Sequence, residues 1–133
     1  MNKRLRSFLS ARDSGITEWI ILLVWLLLVC LVRAFHEPWF DETQAWQIAR
    51  YATLKEIFLE VEHYEGHPPL WHLLLYPFAK TGFPYSITIF TLNTLINLAA
   101  LYLLLFRSPM PRWLRGTLPF GYYIFYQHGV QTR

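Results

Sequence analysis

What this sequence has little of narrows it faster than what it has in plenty. Cysteine occurs once, at Cys30, so no intramolecular disulfide forms and no thiol-rich metal site exists. That cysteine lies inside an apolar run and is expected to be a buried small hydrophobe. Charge is scarce too: charged residues make up 16% of the chain, against 54% hydrophobic and 18% aromatic. A soluble domain carries roughly 25% charge to keep its surface wet, so the composition argues against an ordinary soluble fold. The net charge of +3 does not point to nucleic acid. The basic residues form no dense cluster and sit beside apolar runs, as they do at a membrane surface. No H-E-x-x-H motif is present and the histidine spacing fits no compact metal site; no metal or other cofactor is expected.

The apolar residues are gathered into runs. An uninterrupted stretch begins at Trp19, and a transmembrane helix is expected over 19–35, with Arg33 near its end able to snorkel to the interface. A second is expected over 85–106, close to the roughly 20 residues a bilayer core requires. It carries Asn93 and Asn97, four apart and so on one helical face; such amides in lipid usually face a neighbouring helix. The basic start of the chain (Lys3, Arg4, Arg6, Arg12) is followed by no small-x-small cleavage site near Phe35 and His36, so the first apolar run reads as an uncleaved anchor. Arg107, Arg112 and Arg115 follow the second run. By the positive-inside rule both flanks are cytoplasmic. Between the runs stand seven acidic residues, Glu37, Asp41, Glu42, Glu56, Glu60, Glu62 and Glu65, against Arg50, Lys55 and Lys80. That segment faces outward. A third apolar stretch, 118–133, is rich in aromatics and short for a span.

The sequence therefore predicts an all-α integral membrane protein: a basic cytoplasmic N-terminus over 1–18, two transmembrane helices, a helical extracytoplasmic loop over 36–84, a cytoplasmic loop over 107–117, and the start of a third, truncated transmembrane helix over 118–133. The loop is not a Gly/Ser-rich tether but three short helices. The first is expected to start at Asp41 as N-cap, with Gln44 at N3, and to run through Trp46 to about Tyr51. The second opens on the capping box Thr53–Glu56, places Leu54, Ile57, Phe58 and Val61 in one apolar stripe, and ends at Gly66. Such a helix lies along the membrane interface. The third begins at Pro68 and Pro69, should kink at Pro77 and should stop at Gly82 and Pro84.

Ionisable groups concentrate where the loop leaves the membrane: His36, Glu37, Asp41 and Glu42, then His63, Glu65, His67 and His72. A carboxylate at a helix N-terminus is held as the anion by the free N–H groups and the dipole. That suits Asp41 to two roles, a structural N-cap or a general base. Glu42 by itself reads as a solvated first-turn acid, and His67, before two prolines, as a turn residue.

The order of these pieces carries more than each alone. A first span, then Phe40-Asp41-Glu42-x-x-Ala45-Trp46-x-x-Ala49, then Gly66-His67-Pro68-Pro69-Leu70-Trp71, then an apolar span, resembles the start of the GT-C membrane glycosyltransferases. It is most similar to the branch with protein O-mannosyltransferases and the aminoarabinose transferases of lipid A. The stretch Leu118 to Gln127 resembles that family's third span less specifically, and the tail after Tyr126 lacks the acidic residue that relatives often place there. The resemblance implies transfer of a sugar from a polyprenyl-phosphate carrier to an acceptor on the outer face, with a bacterial inner membrane the expected location, and with inversion. It implies Asp41 as the base, Glu42 in support, and His67, Trp46 and Trp71 as substrate-binding residues. It covers only the N-terminal part of such an enzyme, so these residues are expected to be inactive alone. The expected partners are the lipid bilayer and a lipid-phosphate-linked sugar donor, with no nucleic acid. The alternative is a small non-catalytic membrane subunit or scaffold.

Overall fold

The computed structural model describes residues 15–61 and 69–131. The N-terminal residues 1–14, with Lys3, Arg4, Arg6 and Arg12, and the segment 62–68, with His63, Glu65, Gly66 and His67, lie outside those residues. The described chain is helical, with no strands. Its elements are α1 (Ile16–Arg33), α2 (Phe40–Tyr51), α3 (Leu54–Glu56, running on as a wider π-type turn over Ile57–Val61), α4 (Leu70–Thr81), α5 (Tyr85–Arg107) and α6 (Arg112–Thr117). A 3-10 turn, Leu118–Phe120, and a π-type segment, Tyr123–Val130, follow. The stretch expected to begin a third helix is therefore helical but broken.

Two helices, α1 and α5, are long and apolar enough to cross a membrane. A core helix of a soluble protein is mostly covered by its neighbours; here only 22% of α1 and 28% of the most apolar 18 residues of α5 are buried. The open side of α1 is an apolar stripe of Ile16, Ile20, Leu23, Leu27 and Leu31, at the i, i+3, i+4 spacing of one helical face. Cys30 is exposed on this helix too. Its expected burial fails because an apolar run does not by itself say which face finds a neighbour.

The chain divides into two compact units, one comprising the residues up to His36 with Asn93–Val130, the other Glu37–Leu92 with the last three residues. In the first unit, Trp19 lies against Tyr102 and Phe106, its ring 6.2 and 4.8 Å from theirs. The start of α1 thus meets the end of α5, and the two run antiparallel. Glu18, fully buried, sits at this end. One carboxylate oxygen accepts from Arg112 Nε at 2.8 Å and Arg115 Nη2 at 3.3 Å, and the other accepts the Gly15 N–H at 2.7 Å. Farther along α1, the buried Trp25 donates its indole N–H to the Pro119 carbonyl at 3.0 Å. Arg33, at the end of α1, donates to the Val130 carbonyl. The Asn93 and Asn97 amides face the π-type segment, as amides in an apolar helix should.

The second unit is built from the three loop helices and the beginning of α5. Ala45, Trp46 and Ala49 of α2, Leu75 and Ala79 of α4 and Ile89 of α5 form its buried core, with Trp71, Phe78, Tyr85 and Leu92 packed around it. Helix α4 runs through Pro77 and stops at Gly82, whose φ of 81° is the left-handed conformation glycine adopts without strain. The Thr53–Glu56 box forms as expected: Glu56 Oε2 accepts the Thr53 N–H at 2.6 Å, and Thr53 Oγ1 accepts the Glu56 N–H at 3.3 Å. Of the expected apolar stripe, Ile57 is buried while Leu54 and Phe58 remain about half exposed.

Candidate functional site

The first turn of α2 carries the acidic pair. The helix starts earlier than its sequence suggests, with Trp39 and not Asp41 in the extended N-cap conformation (φ −77°, ψ 161°). Glu42 consequently occupies N3, the position from which a glutamate reaches back to the cap. Its Oε2 accepts the Trp39 N–H at 2.7 Å, while the Trp39 carbonyl accepts from the Glu42 and Thr43 amides at 3.1 and 3.3 Å. Thr43 Oγ1 closes the turn by donating to the Phe40 carbonyl at 2.8 Å. Glu42 is fully buried. It is the opposite of a solvated first-turn acid, because its carboxylate satisfies an N–H that the helix geometry leaves unpaired.

That arrangement separates the two carboxylates by environment. Glu42, Ala45, Trp46 and Ala49 make one inward stripe of α2, whereas Asp41, at N2, is exposed. The exposed Trp39 and Phe40 immediately precede it, and Phe35 is exposed at the end of α1. Asp41 therefore sits on a turn pinned by its buried neighbour, in the first turn of the helix, where the dipole favours negative charge.

Trp46 and Trp71 come together in the core of this unit. Trp46 is buried with its ring edge-on to Tyr85 at 5.8 Å, and packing accounts for it. Trp71 is partly covered by the same core, but its indole Nε1 is buried with no hydrogen-bond acceptor among the described residues. His72, the next residue, is buried as well. His67 lies outside the described residues. Among those residues, no three His, Cys, Asp or Glu side chains converge as metal ligands would.

Two features escaped the sequence. The burial of Glu42 had a signal, its spacing three residues after Trp39, masked because tryptophan offers no side-chain oxygen to complete a box. The Glu18–Arg112–Arg115 cluster had a fainter one: Glu18 is an acid beside an otherwise basic flank. Compared with protein-family models, with curated proteins and with solved structures, the chain matches none.

Proposed function

We propose that this chain is an integral membrane protein with α1 and α5 as its spans, and that its outward loop presents Asp41 as the general base of a lipid-linked glycosyl transfer. The membrane part of the reading is supported by two lipid-length helices whose apolar surface is mostly uncovered. It is supported also by their antiparallel course, with Arg107, Arg112 and Arg115 at the end where α1 begins, as a cytoplasmic side requires.

The observation that carries the catalytic part is the division of labour in the acidic pair. Glu42 holds the turn, and Asp41 stands exposed beside it on that pinned turn. In the proposed reaction the acceptor hydroxyl attacks the anomeric carbon of the donor sugar, and its proton passes to the Asp41 carboxylate. The bond from that carbon to the phosphate oxygen breaks, and the polyprenyl phosphate departs with the electron pair, inverting the anomeric centre. The buried Trp71 N–H, unmatched among the described residues, is a donor suited to a substrate oxygen. Membership of the GT-C lineage rests on the motif order alone.

A second reading, a non-catalytic membrane subunit, is favoured by the use of Trp46 as a core residue. Extending the reading frame past Arg133 decides between them in principle: further apolar spans fit a transferase, and an immediate stop fits a subunit. In a longer chain of this kind Asp41→Asn should lower transfer by about 10²–10⁴-fold, the usual worth of a general base, without altering membrane insertion. Retained activity would remove Asp41 from the reaction.

A further inference from the structure

The segment Tyr123–Val130 ends in a place where backbone carbonyls need help. The last carbonyls of any helix have no intrahelical donor, and in lipid no water replaces it. Here the donors are side chains of the two candidate spans. The His128 carbonyl accepts from Asn93 Nδ2 and from Asn97 Nδ2, each at 2.9 Å. The Gly129 carbonyl takes a longer contact of 3.4 Å from Asn93 Nδ2, and the Val130 carbonyl accepts from Arg33. Asn97 is itself steadied on Asn93, donating to its carbonyl at 2.8 Å and its Oδ1 at 3.2 Å. At the other end of the stretch, Trp25 holds the Pro119 carbonyl. Between these tethers the backbone lies so close to α1 that a Cβ on Gly129 would sit 2.8 Å from the Trp25 ring.

All these tethers grip main-chain carbonyls. We infer that Asn93, Asn97 and Arg33 form a carbonyl clasp that terminates the π-type segment against the two long helices and fixes its path. These hydrogen bonds all end on main-chain oxygens of the segment, while its Val130 side chain is buried. Tyr122, Tyr126 and Gln127 interact instead with one another and with His36: Tyr122 and Tyr126 stack at 5.7 Å, Gln127 Nε2 donates to the Tyr122 hydroxyl at 3.3 Å, and the His36 ring stands edge-on to Tyr126 at 6.3 Å. The clasp is thus a device for holding an aromatic, polar-tipped face in place without using that face. It does not depend on the glycosyl-transfer reading.

The single native cysteine makes the test direct. Cys30 on α1 and a second cysteine at Gln127→Cys are spin-labelled in the full chain, reconstituted in a lipid bilayer, and their distance distribution is measured by pulsed electron resonance. The clasp predicts one narrow distance. Asn93→Leu with Asn97→Leu, which keeps α5 apolar, should broaden it or split it, while the overall helix content by circular dichroism stays unchanged. Thr94→Val, at a buried polar position of α5 outside the clasp, should leave it narrow. Should the double variant fail to insert, Asn97→Leu alone, which spares the Asn93 donor, should give an intermediate width. An unchanged distribution in the inserted double variant, or equal broadening by Thr94→Val, overturns the clasp.

Discussion

The two units solve the same local problem and put the solution to different uses. Each has a helix whose N-cap lacks a capping side-chain oxygen, Gly15 in one and Trp39 in the other, and each has a buried glutamate at N3 reaching back to the cap N–H at 2.7 Å. In the unit that holds α1 the second oxygen of Glu18 is taken by two arginines from 94 and 97 residues away. It joins the first helix to the segment after the second. In the loop unit Glu42 lies beneath α2, on the stripe that packs into an apolar core, and its work is to fix the turn that carries Asp41. The lesson is that a buried carboxylate is not by itself a site. What matters is whether its oxygens are already spent on the fold, and here the acid that lies at the surface is the neighbour, Asp41.

The comparison breaks most clearly at the carboxylates themselves. Glu18→Ala strips the shared anion from the buried Arg115 and the partly buried Arg112, and breaking a buried ion pair in this way costs about 3–5 kcal/mol. Glu42→Ala removes a cap bond, worth about 1–2 kcal/mol. Denaturant titration of the full chain in mixed micelles should therefore show a much larger loss for the first. Equal losses would mean that Glu42 anchors the loop unit as an ion centre and not as a cap. Next in size is Gly129→Ala. Its new methyl would meet the Trp25 ring at 2.8 Å and Val29 Cγ2 at 3.1 Å, and overpacking of this kind costs about 1–3 kcal/mol. The same titration should record it, with the loop helices untouched; an unaffected midpoint would show that the segment is loosely seated.

How far the sequence disclosed this arrangement depends on the range of each interaction. The Thr53–Glu56 box and the Gly82 stop are local and were legible, because every partner lies within a few residues. Asn93 and Asn97 were legible as amides needing a neighbour. Which neighbour was not, since the carbonyls they bind stand 31 and more residues away. Asp41 attracts the N-cap reading because aspartate is a strong cap by type. The chain caps with Trp39 instead, since that register lets Glu42 satisfy the cap N–H and turns Ala45, Trp46 and Ala49 inward together. For Cys30, a helix apolar on all sides gives no periodicity from which to read the buried face. The Glu18 cluster depends on chain folding that brings distant charges together, which no local pattern encodes.

The smallest expected effect concerns the third N3 glutamate, Glu56, which completes the series in an exposed setting. Its carboxyl lies below the ordinary carboxylate range, first because the Thr53 backbone N–H binds it and next because the Thr53 side chain does, with the Lys80 charge a lesser contribution. A carboxyl whose pKa is lowered by folding stabilises the fold above its unfolded pKa, and that contribution fades as pH falls through the folded one. The Thr53 turn should therefore hold at neutral pH and loosen only below the usual carboxylate range. The Thr53 amide proton reports this directly, because its resonance should move as Glu56 takes up a proton, with a midpoint below that of a free glutamate. In Glu56→Gln the movement should vanish. A midpoint at the ordinary glutamate value would show that an exposed box is opened by water. The series would then run from buried carboxylates that the fold holds firmly to an exposed one that it does not.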